Sequence, residues 1–409
     1  MSIRFLKISN YYRGFLDDYY QRNPHVKAMD YMGQYNHLMG QYFAWSDNYA
    51  RLLEDKGNET IEIVGNAHFL QKAWALENGI KSSAINEEIV LNQILKFMPE
   101  VIYFQDSMTY NGSFILNLRK LLPNLKLCIG NLCAPFGSGQ IDGFKAFDYF
   151  TVCSPFFKQQ LARFAINSVI IPHAFDRRIL QSIENENDYQ QASIVFLGSI
   201  FADEGFHSLR RQILENLVKE RIQFSFYGNL PDRSLLALYK KQASFLASRL
   251  LDNIGLNKLT ESVTVFRKGR HHDSLPRGLK LSPKLYSVAK SPLFGMEMFK
   301  ALSRADIGFN IHIDCAGDYA ANMRMFETTG VGTCLLTDRK SNLKDYFQED
   351  AEVVAYDSVE ECMEKIRYLV DNPLVSQEIG LSGQKRTLAH HNFEDRVDRF
   401  YEYMIQRIK

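Results

Sequence analysis

Residues 322–338 read NMRMFETTGVGTCLLTD and carry the clearest structural signal of this 409-residue chain. Arg324 and Glu327 stand in a short helical pattern that ends at Gly330, and the apolar run from Cys334 is typical of a buried strand. A helix that begins at a cleft can offer backbone N–H groups to a phosphate, and a carboxylate one turn later can accept ribose hydroxyls. The spacing equally allows Glu327 to pair with Arg324 on a solvated helix face.

Short runs rich in β-branched and aromatic residues alternate with longer helical patterns on both sides of this stretch. This alternation predicts an α/β protein with two Rossmann-like domains that face each other across a cleft. We place the first domain at 1–175, a linker at 176–192 and the second domain at 193–391, because the polar segment between the halves cannot form core. The predicted elements include a helix at 41–54 and second-half strands at 193–197, 223–227, 263–266, 307–311, 334–337 and 353–356.

The last segment, 392–409, is predicted to be a helix that packs back onto the first domain. Its residues Phe393, Val397, Phe400 and Met404 recur at helical spacing and form one apolar face. The alternative is an ordinary final helix of the second domain, and the contacts of Phe400 distinguish the two.

The composition excludes several classes of protein. Apolar residues make up 46% of the chain and charged residues 23%, which is typical of a folded globular protein. The 48 Lys and Arg nearly balance the 47 Asp and Glu, so no overall charge favours nucleic acid as a partner. The six cysteines never form a C-x-x-C pair, and neither a zinc site nor a disulfide framework is expected. Without a run of about 18 apolar residues, we expect a cytoplasmic protein, and peripheral contact with the inner face of the membrane stays open.

Three segments carry a family resemblance: 291–310, 322–338 and 338–356. In this order they resemble the C-terminal domain of group 1 glycosyltransferases of the GT-B fold, with the closest likeness to the spore-maturation-protein-like branch. The likeness covers roughly 193–399 and extends more weakly over the first half. It implies that the second domain binds a donor nucleotide and that the first domain binds the acceptor.

The resemblance also assigns roles around the loop before residue 322. Glu327 matches the second glutamate of the family's E-x7-E pattern, which implies a contact with the donor ribose. Tyr319 stands eight residues earlier, where many retaining members have a glutamate that contacts the transferred sugar. Asp318 and Asp314 lie close enough in sequence to substitute for it, although aspartates also cap loops. The candidate catalytic residues of this region are His312 and Asp318, and the candidate donor contacts are Asn322, Arg324, Glu327, Gly295 and Gly317.

A basic segment, 267–284, holds six Lys and Arg against the single acid Asp273. Its prolines and glycines predict a loop rather than a helix. Arg270 and Lys280 of this loop are candidate contacts for a donor diphosphate, which they would neutralise without a metal ion. Binding of an anionic or lipid-phosphate acceptor by the same bases stays open. A solvated insertion is the alternative, and RNA binding is disfavoured because no aromatic residues are interleaved with the bases.

Loops after other predicted strands supply the remaining candidates. Gly14 follows the first strand, and Gly198 with Ser199 follows the first strand of the second half, but neither forms a G-x-G-x-x-G pattern. Asp106 is the candidate catalytic base, and His68 and His173 also follow strands. No D-x-D pair occurs, so no metal is expected, and no cofactor is expected beyond a nucleotide-diphosphate sugar as substrate.

The resemblance implies a hexosyltransferase-type glycosyltransferase that acts with retention. Its partners would be a nucleotide sugar and a hydroxyl of a glycan, lipid-linked or protein acceptor, in surface polysaccharide or glycoconjugate synthesis. Two alternatives stay open. One is a sugar-nucleotide epimerase on the same scaffold, and the other is a catalytically silent nucleotide-sugar-binding subunit.

Overall fold

A computed structural model describes residues 2–81, 85–183, 192–200, 208–256, 281–312 and 314–408, with 263, 265–266, 269 and 274–278. Within these ranges the chain forms two six-stranded sheets, and every pair of neighbouring strands is parallel. Helices connect the strands, as parallel pairing requires. The α/β prediction is therefore confirmed. None of the helices in the described ranges combines the length and apolar composition that a bilayer span requires.

The first sheet has the order β2-β1-β3-β4-β5-β6. Its strands are β1 Arg4–Ser9, β2 Glu59–Val64, β3 Val101–Phe104, β4 Leu127–Leu132, β5 Tyr149–Val152 and β6 Ser168–Ile170. The helices of this half are α1 Arg13–Arg22, α2 Tyr31–Met39, α3 Asn48–Glu54, α4 His68–Glu77, α5 Asn86–Phe97, α6 Gly112–Leu121, α7 Ile141–Phe144 and α8 Pro155–Ala162. All four residues of β3 are buried because helices cover both faces of the sheet.

The second sheet has the order β12-β11-β10-β7-β8-β9. Its strands are β7 Ala192–Leu197, β8 Ser225–Tyr227, β9 Ala289–Lys290, β10 Ala305–Asn310, β11 Cys334–Asp338 and β12 Val354–Tyr356. The helices are α9 Arg178–Ile183, α10 Ser208–Lys219, α11 Leu235–Asn253, α12 Pro283–Val288, α13 Gly295–Ser303, α14 Arg324–Gly330, α15 Val359–Asp371, α16 Pro373–His390 and α17 Phe393–Ile408.

Three of the predicted elements differ from the structure. The strand predicted at 263–266 is wrong, because residues 265–266 are helical and the short β9 takes the edge of the sheet. The helix predicted at 41–54 begins only at Asn48, since residues in the left-handed region precede it. The predicted linker starts with α9, whose Ile179 is buried.

The C-terminal helix α17 packs against the first sheet. The Phe400 ring lies 4.9 Å from that of Tyr103 and 5.9 Å from that of Phe5, between ring centroids. Lys56 and Asp398 form an ion pair of 2.6 Å across the same contact. The end of the chain therefore crosses from the second half to the first.

Candidate active site

A cavity of 1330 Å³ lies between the carboxyl ends of the two sheets. Its first-half wall is formed by residues that follow β1, β3 and β4, and its second-half wall by residues that follow β7 and β10 and by the start of α14. Parallel strands place all their carboxyl ends at one edge, so side chains distant in sequence meet there. The volume exceeds the roughly 300–1,000 Å³ of common small-molecule pockets, which leaves space for two substrates.

Arg210 of α10 is fixed inside the second-half wall. Its Nη1 donates to the Ser199 carbonyl at 2.7 Å, and its Nη2 donates to the Ile311 carbonyl at 3.1 Å. Gly198 lines the cavity beside it, and a Cβ there would lie 3.4 Å from the guanidinium. Burial lowers the Arg210 pKa to about 10, and the charge of Arg324 acts in the same direction. The Asp338 carboxylate opposes this shift, and a desolvated guanidinium at the wall favours an anionic ligand.

His312 and Asp338 form a buried pair at the end of β10 and β11. Asp338 Oδ1 accepts the backbone N–H and the ring Nδ1–H of His312, both at 2.8 Å. Burial disfavours the carboxylate, but these hydrogen bonds outweigh that effect and lower the Asp338 pKa. His312 lines the cavity, and its buried Nε2 has no hydrogen-bond partner among the described residues. This nitrogen accepts a proton when the ring is neutral and donates when it is protonated.

Glu327 pairs with Arg324 inside the cavity rather than on a solvated face. Arg324 Nη1 lies 2.9 Å from Glu327 Oε2, with side-chain exposures of 21% and 11%. No described residue donates to Oε1, so one carboxylate oxygen remains for a ligand. Asn322 donates its Nδ2 to Asn310 at 2.9 Å, and its buried Oδ1 has no partner in the described ranges. The three polar residues at the start of α14 thus line one stretch of wall.

Asp106 lies on the opposite wall, but its oxygens are already occupied. Oδ1 accepts the backbone N–H groups of Met108 and Thr109, and Oδ2 accepts the Thr109 hydroxyl and the Asn10 amide. A carboxylate that accepts four hydrogen bonds is held firmly in its loop. Asp106 lines the cavity, and its catalytic role stays a prediction.

Solved structures of glycosyltransferases share this architecture. A glycosyltransferase from Rickettsia africae ESF-5 superimposes with a TM-score of 0.54 at 11% identity, covering 100% of this chain and 99% of its own. Sucrose-phosphate synthase from Thermosynechococcus elongatus gives a TM-score of 0.51 at 13% identity and covers 99% and 98%. An α-glucosyltransferase in complex with UDP and a 13-mer DNA gives 0.53 at 12% identity, with 100% of both chains covered. The fold is the GT-B fold.

Sequence comparison adds a match over part of the GT-B chain. Residues 269–402 match the family model described as "Glycosyl transferase-like", which is about a third of the chain. The matched range contains His312, Arg324 and Glu327. No curated protein is significantly similar to this chain in sequence. The GT-B fold predicted from the resemblance is confirmed, whereas the spore-maturation-protein-like branch stays a prediction.

Several predicted site residues lie outside the GT-B cleft or outside the described ranges. Asp318 is exposed and does not line the cavity, and its carbonyl accepts hydrogen bonds from Ser341. Its backbone therefore helps to hold the loop, and the catalytic role of its carboxylate stays a prediction. Arg270, Lys280 and the side chain of Asp314 lie outside the described residues, so their roles stay predictions.

The predicted glycines have packing roles at the edges of the GT-B cleft. Gly295 lines the cavity with φ +54°, but a Cβ there would lie 2.5 Å from the Gln41 carbonyl of the first half. Gly317 has φ +59°, and a Cβ there would lie 3.2 Å from the Phe156 ring. Gly14 is exposed on α1 and does not line the cavity. At Gly295 and Gly317 the missing side chain admits a protein group rather than a ligand.

A cluster of sulfur and imidazole groups lies in the floor of the GT-B cleft. Cys133, Cys153 and His173 follow β4, β5 and β6, and their potential ligand atoms lie within 4.8 Å of one another. Burial disfavours the Cys133 thiolate, but hydrogen bonds from Cys153 and His173 outweigh that effect and lower its pKa. Cys133 and His173 line the cavity, and Cys153 is buried. The sequence pattern does not reveal this cluster because its members are separated by whole βα units.

A second group that sequence analysis missed lies behind the first-half wall. Lys7 Nζ on β1 and Glu62 Oε1 on β2 are 2.6 Å apart, with neither side chain exposed. Burial raises the Glu62 pKa to about 7 and lowers that of Lys7. The Ser9 hydroxyl lies 2.7 Å from Glu62 Oε1 and 2.9 Å from Gln105 Oε1, and Gln105 lines the cavity. The Lys7–Glu62 pair is therefore linked to the first-half wall of the cavity through the Ser9 hydroxyl.

Proposed function

We propose that the protein transfers a sugar from a nucleotide-diphosphate-sugar donor to a hydroxyl acceptor. The observation that carries this proposal is the second-half wall, which holds the Arg210 guanidinium and the ion pair of Arg324 with Glu327. Guanidinium groups bind phosphate oxygens strongly, and a carboxylate accepts hydrogen bonds from ribose hydroxyls. The match of 269–402 to the glycosyl transferase-like model supports the same reading.

In this mechanism the wall acts mainly on the leaving group. The bond between the anomeric carbon and the diphosphate oxygen breaks, and negative charge grows on the diphosphate. Arg210 is held by two backbone carbonyls and is already desolvated, so it meets that charge without reorganisation. His312 Nε2 either receives the acceptor's hydroxyl proton or, once protonated, donates to the diphosphate.

The two halves divide the substrates in this proposal. The second domain, 193–391, would hold the donor, and the first domain, 1–175, would hold the acceptor. We infer from the resemblance that the acceptor is a glycan, a lipid-linked group or a protein, and that transfer retains the anomeric configuration without a metal ion.

A panel of sugar nucleotides tests the activity. The protein is incubated with each one, and free nucleotide and epimers are separated by chromatography. UDP sugars come first because the structurally similar α-glucosyltransferase binds UDP. Slow release of nucleotide supports a transferase. Formation of an epimer indicates the epimerase alternative, and binding without turnover indicates a silent subunit.

Glu327→Gln tests the assignment of the donor wall. A hydrogen bond to a charged group contributes about 1.5–3 kcal/mol, so we expect nucleotide affinity to fall by roughly ten- to a hundredfold in calorimetric titration. Glu349→Gln is the matched control, because Glu349 forms an ion pair of the same 2.9 Å length with Arg339 outside the cavity. Equal affinity in the two folded variants would refute the contact between Glu327 and the nucleotide.

A further inference from the structure

The sulfur and imidazole cluster is built by the pairing of three neighbouring strands. Leu132 of β4 pairs with Val152 of β5, so Cys133 and Cys153 occupy the next position on adjacent strands. His173 follows β6 on the far side of β5. Adjacent strands lie about 4.8 Å apart, which is inside the range of Cα separations that a disulfide spans. The backbone therefore already has the spacing for a bond between Cys133 and Cys153.

The imidazole of this cluster is set up to donate to sulfur rather than to bind a metal ion. The Trp45 indole N–H donates to His173 Nδ1 at 3.2 Å. A neutral ring that accepts at Nδ1 carries its proton on Nε2. A metal-bound His173 would instead carry its proton on Nδ1, where it would oppose the Trp45 N–H. The hydrogen bond from Trp45 thus favours an imidazole that donates to sulfur over a metal centre. In its protonated form the Cys133 thiol donates to Asn131 Oδ1 at 3.6 Å.

The two cysteines differ in their access to solvent. Cys133 is partly exposed and lines the cavity, whereas Cys153 is only 1% exposed. A small neutral oxidant that enters the cleft therefore meets Cys133 first. The lowered pKa of the Cys133 thiol increases the thiolate fraction, and the thiolate is the form that attacks peroxides.

We propose that Cys133 is a peroxide-reactive thiol whose oxidation ends in a disulfide with Cys153. This proposal is independent of the sugar-transfer activity, because it concerns thiol chemistry in the floor of the cleft. The oxidant is hydrogen peroxide or another small hydroperoxide. The site is one of covalent modification, and its product ties together the ends of β4 and β5 below the cavity.

The reaction proceeds in two balanced steps. The Cys133 thiolate attacks one peroxide oxygen, so an S–O bond forms, the O–O bond breaks, and the leaving hydroxide takes up a proton to become water. Cys133 is oxidised to a sulfenic acid, and the peroxide is reduced. The Cys153 sulfur then attacks the Cys133 sulfur, the S–S bond forms, and the S–O bond breaks. The proton of Cys153 leaves with the hydroxide as a second water.

Peroxide treatment of the full-length protein tests the proposal. Of the six thiols titrated after unfolding, we expect four to remain, with Cys133 and Cys153 joined in the peptide map. Cys153→Ser should stop the reaction at the sulfenic acid, which dimedone labels at Cys133. Cys133→Ser should remove both products. Cys315→Ser is the matched control because Cys315 also lines the cavity outside the cluster, and it should react as the wild type does.

A second measurement on the unaltered protein does not depend on how the variants fold. Iodoacetamide at neutral pH should alkylate Cys133 at least tenfold faster than Cys315, as judged by mass spectrometry of the peptides. Equal rates, or a disulfide between any other pair, would overturn the proposal. One equivalent of tightly bound zinc that is lost in Cys133→Ser would overturn it too, in favour of a metal site.

Discussion

The buried pair of Lys7 and Glu62 makes a prediction whose size follows from the structure. Glu62→Gln keeps the shape of the side chain but leaves the Lys7 ammonium, which is fully buried, without its counter-charge. Breaking one partner of such a pair costs about 3–5 kcal/mol. With a urea m-value of about 2 kcal/mol/M, the midpoint of the first domain should fall by roughly 1.5–2.5 M. Far-UV circular dichroism in urea measures this shift, and the two domains are fitted as separate transitions.

The same two strands supply the control. Arg4 and Glu59 also link β1 to β2, at 3.0 Å, but their side chains are 39% and 58% exposed. Such exposed pairs contribute about 0–1 kcal/mol, so Glu59→Gln should move the midpoint by less than about 0.5 M. The double variant Lys7→Met with Glu62→Leu should recover most of the loss because it leaves no unpaired charge. Equal midpoints for Glu62→Gln and Glu59→Gln would refute the reasoning.

Three further perturbations test the packing around the cleft. Burial lowers the His391 pKa to about 4, so this residue contributes stability that is complete above pH 6.5 and is lost as the pH falls toward 4. His391→Gln should reduce this loss of stability on acidification by up to about 3 kcal/mol, as measured from melting temperatures at a series of pH values. Phe400→Ala should destabilise the protein by about 3–5 kcal/mol and expose α17 to proteolysis, and intact resistance would contradict the crossing contact. Gly295 and Gly57 both have positive φ, but only a Cβ at Gly295 would clash with a carbonyl oxygen, that of Gln41. Gly295→Ala should therefore cost more stability than Gly57→Ala. A smaller loss at Gly295 in thermal unfolding would show that the two halves separate freely there.

Most of the sheet could be predicted because parallel strands are buried on both faces. Runs such as Val101–Phe104 and Cys334–Asp338 stand out as short apolar segments whatever their neighbours are. The strand Ala289–Lys290 has two residues, too few to show any periodicity. Helix α3 begins late because residues such as Tyr42 and Ala44 adopt the left-handed backbone conformation. Neither is a residue type that indicates this conformation in a sequence. The local sequence pattern therefore predicts the long helices and strands. It does not predict the segments whose backbone conformation is decided by packing.

The candidate site was predictable to the extent that its residues are close in sequence. Arg324 and Glu327 share one short helix, so spacing alone placed them together. Lys7 and Glu62 meet only because β1 lies between β2 and β3, and strand order cannot be read from composition. Asp106 was found from its position after a strand, but the sequence did not show that its nearest neighbours donate hydrogen bonds to both of its oxygens. Position identifies candidates, and hydrogen-bond partners decide among them.

The distribution of acids along the cleft bears on how sugar transfer would be catalysed. Among the described residues that line the cavity, the acids are Glu87, Asp106 and Glu327. Asp106 is saturated with hydrogen bonds, Glu327 holds Arg324, and Glu87 is exposed at the start of α5. None of these three carboxylates therefore combines an enclosed position with two unoccupied oxygens. The fixed Arg210 guanidinium, by contrast, is enclosed and short of partners. In the proposed transfer, catalysis would therefore rest more on stabilising the departing diphosphate than on a carboxylate that attacks the sugar.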